Sequence, residues 1–171
     1  MRNERIGTIA VVDSTQRPVG IFTLTDLMER VVLPGVDLGT PVMAVMTPDP
    51  GTMSDMATAQ EALAHMAQRG LHQIMVTREG RLAGIVSERD VVRHLHHDGT
   101  VINNVVSAIM TADVETCEES TTLDELMQTS NDMRNLLNST EIATLFLDGA
   151  LNVRRFTTQA TRIFKLIAGD V

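Results

Sequence analysis

The sequence predicts a mixed α/β (α+β) fold assembled from repeats of one motif: strand, helix, hairpin, helix. Three observations carry that expectation. The chain has 171 residues, 43% of them hydrophobic, which fits one domain of about 150 residues or two small ones with ample material for a core. Two separate segments recur at one spacing of 64 residues. Within the repeat, a helix-start signature is followed by apolar runs broken at turn residues, the punctuation of a hairpin.

The repeat is read directly from the residues. VVDSTQRPVGIFTLTDL, starting at Val11, lies without a gap on MVTREGRLAGIVSERDV, starting at Met75. Val12 meets Val76, Gly20 meets Gly84, Ile21 meets Ile85, Thr23 meets Ser87 and Asp26 meets Asp90. VMTPDPGTMSDMATAQEAL, from Val45, lies on IMTADVETCEESTTLDELM, from Ile109, at the same spacing. There Met46 meets Met110, Thr47 meets Thr111, Thr58 meets Thr122 and Glu61 meets Glu125.

These matches divide the chain. Residues 41–99 hold one complete unit, residues 1–32 the second half of a unit, and residues 105–130 a first half. VLPGVDLGTP, Val32 to Pro41, reads as a linker. In the complete unit, Thr58 to Glu61 is a capping box. Ala59, Ala62, Leu63, Met66 and Ala67 then fall on one helical face, and Gly70 suits the left-handed C-terminal cap. HQIMVT and LAGIVS are strands around the turn REGR, and ERDVVRHLHH starts a second helix. One such unit is too small to cover both faces of its sheet, so pairing is expected. The two half-units are expected to pack together as a permuted unit, because each alone exposes an apolar face: Ile9, Val11 and Ile21 on one, Leu123, Leu126 and Met127 on the other.

Composition narrows the function. The net charge is −8 and the pI about 5.0, which disfavours a protein that holds a phosphate backbone. No aromatic lies between Phe22 and Phe146, so that stretch has no stacking platform for single-stranded nucleic acid. No run approaches a membrane span. Cys117 is the single cysteine, so a cysteine zinc cluster is excluded and a reducing, cytoplasmic setting is expected. Its strand position, matched by Met53, suggests a small buried hydrophobe rather than a nucleophile. His94, His96 and His97 read as a solvated helix end rather than a metal site. No Walker loop, dinucleotide fingerprint, zinc-protease motif or nucleophile elbow is present, so an enzyme is not expected.

The duplicated MTPDPGT-type start, the hairpin, and Gly-apolar-apolar-Ser/Thr-x-x-Asp together resemble the CBS domain, over about residues 5 to 128. That resemblance implies a tandem, Bateman-type pair with a pseudo-two-fold axis. It implies a regulatory, non-catalytic module that binds an adenine nucleotide (AMP, ADP or ATP) or S-adenosylmethionine in the cleft between units, with no required cofactor. It assigns Thr23 and Asp26 in the first copy, and Ser87 and Asp90 in the second, to ribose and phosphate. Arg89 stands on the phosphate side; Thr25 takes its place in the first copy, which weakens that site. Thr52 falls at the adenine-contacting edge, with Ile74 and Ile85 as apolar walls. The partners implied are the nucleotide and a second copy of the chain in a homodimer, with no nucleic acid and no membrane; no output domain is recognised within these residues. Set against this, Thr23-x-x-Asp26 and Ser87-x-x-Asp90 are also capping boxes that need no ligand. The alternative function is therefore a ligand-free structural or oligomerising fragment of a signal-transduction protein.

Residues 131–171 depart from the repeat. NDMRNLLNST as a lead-in helix, the hairpin IATLFLD-GA-LNVRRFT and a short helix resemble the opening of a PAS sensor domain. A degenerate repeat is the rival account. It would put Arg155 in the place of Gly84 and Thr161 in the place of Asp90, so both diagnostic residues would be lost.

Overall fold

The computed structural model describes residues 7–97, 103–130, 145–147, 150–156 and 159–161. Its elements follow in chain order. Strands β1 (Thr8–Val12) and β2 (Pro18–Thr23) form a hairpin, followed by the turn α1 (Leu24–Asp26), which runs on as a π-helical stretch, Leu27–Val32. A 3₁₀ turn at Val42–Ala44 leads to β3 (Thr47–Pro48), β4 (Thr52–Ser54) and helix α2 (Ala59–Arg69). The second hairpin is β5 (Gln73–Arg78) and β6 (Arg81–Ser87), followed by helix α3 (Glu88–His97). A second 3₁₀ turn, Val106–Ala108, precedes β7 (Thr116–Glu118) and helix α4 (Leu123–Thr129). The tail contributes β8 (Leu145–Leu147) and β9 (Val153–Phe156), paired antiparallel. The NDMRNLLNST lead-in lies outside the described residues. Among the described residues, no helix is long and apolar enough to cross a membrane.

The sheets are mixed. One has the order β3-β2-β1-β7, the other β4-β5-β6. In each, a short strand pairs parallel with the first strand of a hairpin: β7 with β1, and β4 with β5. Every residue of β1 is buried, which explains its unbroken apolar run: a strand covered on both faces shows no alternation.

The register corrects the ungapped alignment at one place. Met75 donates to the Gly51 carbonyl at 2.8 Å, and Ala10 donates to the Glu115 carbonyl at 2.9 Å. Ala10, not Val11, is therefore the counterpart of Met75, and the spacing in this strand is 65 rather than 64. The cause is a longer first turn. Glu79 and Gly80 make a two-residue turn with φ of 52° and 78°, as type I′ geometry requires. The first hairpin instead turns through Asp13–Arg17, where Asp13 Oδ1 accepts from the Thr15 and Arg17 amides and Gln16 takes the positive φ.

Close contacts group the chain into two compact units. One takes described residues within 1–9, 22–47 and 119–171; the other takes 10–21 and 48–118. Their internal wiring repeats. In the first, Val42 donates to Thr121, Met43 to Glu119 and Leu123 to the Thr40 carbonyl. In the second, Val106 donates to Ala57, Ser107 to Asp55 and Ala59 to the Asn104 carbonyl. Each of these bonds maps onto its counterpart by a shift of 64. The helices start as expected: Thr58 and Glu61 close a capping box on α2, Thr122 and Glu125 one on α4. Gly70 caps α2 with φ of 64°. In the second unit, Ala59, Ala62 and Met66 of α2 pack with Ile74, Val76, Val86, Val91, Val106 and Ile109. Ala67 is exposed, contrary to expectation, so the apolar stripe of α2 is narrower than the sequence implies. In the first unit, Leu123, Leu126 and Met127 of α4 are buried.

Candidate functional site

The second motif sits where β6 ends and α3 begins. Ser87 and Asp90 are both buried, at 6% and 5% exposure. Asp90 Oδ2 accepts from the Ser87 amide at 2.9 Å and from Ser87 Oγ at 2.6 Å, while the Asp90 amide donates to Ser87 Oγ at 3.2 Å. This is a capping box with aspartate in the glutamate position. It consumes one carboxylate oxygen. Asp90 Oδ1 accepts from no described residue. No sealed side-chain oxygen among the described residues lacks a partner, so this oxygen is not fully sealed from solvent, although Asp90 as a whole is buried. A carboxylate oxygen held rigidly by its sibling's cap, yet free on its own lone pairs, suits a hydroxyl-bearing ligand. Arg89 is exposed in the first turn of α3.

The strand register decides which residues share the site. Thr52 pairs with Met75, Met75 with Ile85, and Ile85 bridges to Thr111. Directly paired residues project to one face, so these four form a row across the sheet. Ser87, two residues beyond Ile85, lies on the same face. Ile74 lies on the other: it pairs with Val86 and packs into the cluster under α2. The expectation that Ile74 and Ile85 wall one cleft is thus corrected. Met75, not Ile74, shares the face of Ile85, and packs with Ile85 and Ala10. Thr111 is a second residue that the sequence reading missed. Its amide and carbonyl both bond to Ile85, at 2.8 and 2.9 Å. Its repetition as Thr47 was the available signal.

The first motif is built alike but is further occupied. Asp26, 7% exposed, accepts at Oδ2 from the Thr23 amide at 2.8 Å and Thr23 Oγ1 at 2.7 Å. Its Oδ1 accepts from Thr47 Oγ1 at 3.2 Å and meets the Arg30 guanidinium at 3.3 Å. Arg30 also donates to the Val45 and Met46 carbonyls, at 3.1 and 2.8 Å. Thr25, in the place of Arg89, is exposed.

Among the described residues, no group of three His, Cys, Asp or Glu is placed to hold a metal ion. His94 Nδ1 contacts the Asp90 carbonyl at 2.8 Å; the side chains of His96 and His97 lie outside the described residues. Cys117 is a free thiol in β7, half-buried beside Val11, and burial pushes its pKa up to about 11. A thiol held neutral is a poor nucleophile.

Comparison with known proteins adds the following. A family model described as "CBS domain" matches residues 1–33 and 42–97, and one described as "PAS domain" matches residues 133–171. An uncharacterized 17.7 kDa protein from Acidianus ambivalens is 33% identical over 96 residues, covering 56% of this chain and 57% of that protein. Hypoxic response protein 1 of Mycobacterium tuberculosis is 31% identical over 96 residues, covering 56% of this chain and 67% of its own length. Protein MJ1225 from Methanocaldococcus jannaschii, of solved structure, superposes with a TM-score of 0.52 at 20% identity, over 93% of this chain and 59% of that one. At that identity the likeness is one of fold.

Proposed function

Because the chain belongs to the CBS-domain family, we propose that it is a non-catalytic regulatory module that binds an adenine nucleotide at Asp90, in a reducing cytoplasm where Cys117 stays a free thiol. The observation that carries this reading is the open Oδ1 of the buried Asp90, whose other oxygen is fixed by Ser87. Asp90 Oδ1 accepts from the ribose diol. Arg89 and the first amides of α3, a helix of ten residues, meet the phosphate. Thr52, Met75 and Ile85 line the adenine side, and Thr111 borders the same face. Binding shifts the population between arrangements of the module, and a neighbouring domain, such as the PAS-like segment that follows α4, reads the shift.

The domain assignment belongs to the same proposal. Residues 1–32 and 105–130 together make one permuted unit, the partner of residues 41–99. The parallel pairing of β7 with β1, which mirrors that of β4 with β5, supports it.

The test is a thermal-unfolding panel with AMP, ADP, ATP and S-adenosylmethionine. A ligand at 100 times its Kd adds ~2.7 kcal/mol, which raises Tm by roughly 5–10 °C for a chain of this size. Asp90→Ala lowers the starting Tm through loss of its cap and abolishes the ligand-induced rise. A flat response to all four ligands overturns the reading. It would favour the ligand-free alternative, for which Ser87 and Asp90 serve only as a cap.

A further inference from the structure

The two motifs differ less in their own residues than in what reaches the second carboxylate oxygen. A carboxylate offers about four lone-pair sites. At Asp26 three donors and a cation take them up: the Thr23 amide and hydroxyl on Oδ2, the Thr47 hydroxyl on Oδ1, and the Arg30 guanidinium paired with Oδ1 at 3.3 Å. At Asp90 only the Ser87 pair is present among the described residues. The position that holds Arg30 in the first copy holds His94 in the second, 64 residues on. His94 turns back onto the Asp90 carbonyl rather than toward the carboxylate oxygens.

We infer that Arg30 holds the first motif shut from within, so that the chain offers one nucleotide site and not two. The inference rests on the reading of Asp90 as the ribose ligand. Arg30 is exposed along part of its side chain, yet the Val45 and Met46 carbonyls, at 3.1 and 2.8 Å, fix the guanidinium beside Asp26. A ribose diol is neutral. To reach Asp26 it must displace the Arg30–Asp26 ion pair and the Thr47 hydroxyl from Oδ1. It must also leave two carbonyls without their donor. The arginine thus works as a built-in occupant, and position 30 decides how many ligands the module takes. Thr25 adds to the effect, since it offers the first copy no cation for a phosphate.

Isothermal titration of the full chain with AMP, ADP, ATP and S-adenosylmethionine reads the number of sites. Wild type is expected to bind one equivalent. Arg30→Ala and Arg30→His, the latter installing the residue of the matching position, are expected to bind two, with cooperative melting by circular dichroism confirming the fold. In the Arg30→His background, Asp90→Asn is expected to leave one equivalent. Two equivalents in wild type overturn the inference, as do folded Arg30 variants that bind no more ligand than wild type. If neither Arg30 variant folds, the wild-type count decides: one equivalent lost on Asp90→Asn upholds the inference, and any other count overturns it. Wild type binding nothing while Arg30→His binds one equivalent sinks the Asp90 reading and leaves the Arg30 occupant standing. The two failures are therefore distinguishable.

Discussion

Cys117 lies opposite Val11 in β7, and its surroundings favour the uncharged thiol. Burial raises its pKa to about 11, above an unfolded value near ~8.5. The fold's preference for the neutral thiol is fully present below pH ~8.5 and is lost as pH climbs through about 11. Alkylation by iodoacetamide at pH 8 is expected to be more than about tenfold slower in the folded chain than in urea. The urea midpoint of wild type should fall between pH 8 and 10.5 by more than that of Cys117→Ala. Equal labelling rates would contradict the burial. That Cys117 is a poor nucleophile was legible from its strand position. The choice of Ile74 as a site wall was not legible. QIMVT is buried on both faces, so the run lacks the alternation that tells one face from the other. Only the pairing of Met75 with Ile85 shows which of these residues shares the face of Ile85.

At the level of elements, the helix starts were plain from the residues. A capping box is a local arrangement of four residues and needs no tertiary partner. Thr58 with Glu61 and Thr122 with Glu125 form as the spacing implies, and Thr58 draws the exposed Glu61 carboxyl below its ordinary pKa. The strand register was less plain, because one extra residue in the Asp13–Arg17 turn moves β1 a full position against the repeat. Gly84 shows how tightly β6 meets its neighbour. A Cβ there would lie 2.7 Å from the Thr111 carbonyl oxygen and 2.7 Å from Met110 Sδ. The methionine can swing away; the backbone oxygen is tied to Ile85 and cannot. Gly84→Ala is therefore expected to cost ~1–3 kcal/mol in urea unfolding. On the proposed function it should also weaken nucleotide binding, because it moves Ile85 and Thr111. An alanine variant with unchanged stability would show that the Thr111 segment yields freely.

On the scale of the whole molecule, the repeat was legible because sequence spacing survives without any knowledge of contacts. The partner of β1 was harder to read. Thr116 pairs with Ala10 across 106 residues, and no local signal announces a contact so distant. Removing residues 103–171 should leave β1 with an open edge. Such fragments are expected to associate or to melt without cooperativity, and size-exclusion chromatography with dye binding would detect both. A monomeric, cooperatively melting 1–102 fragment would show that β7 is dispensable. The same pairing sets a clock on synthesis. Ribosomes add roughly 5–20 residues per second, so β1 emerges roughly 5–20 s before the strand that will lie beside it. During that interval β2 guards one side of a largely apolar strand while the other stays bare. A pause in translation anywhere between the first hairpin and β7 lengthens that exposure directly. The nascent chain thus depends on the pace of its own elongation, or on a chaperone, for the safe arrival of its last repeat.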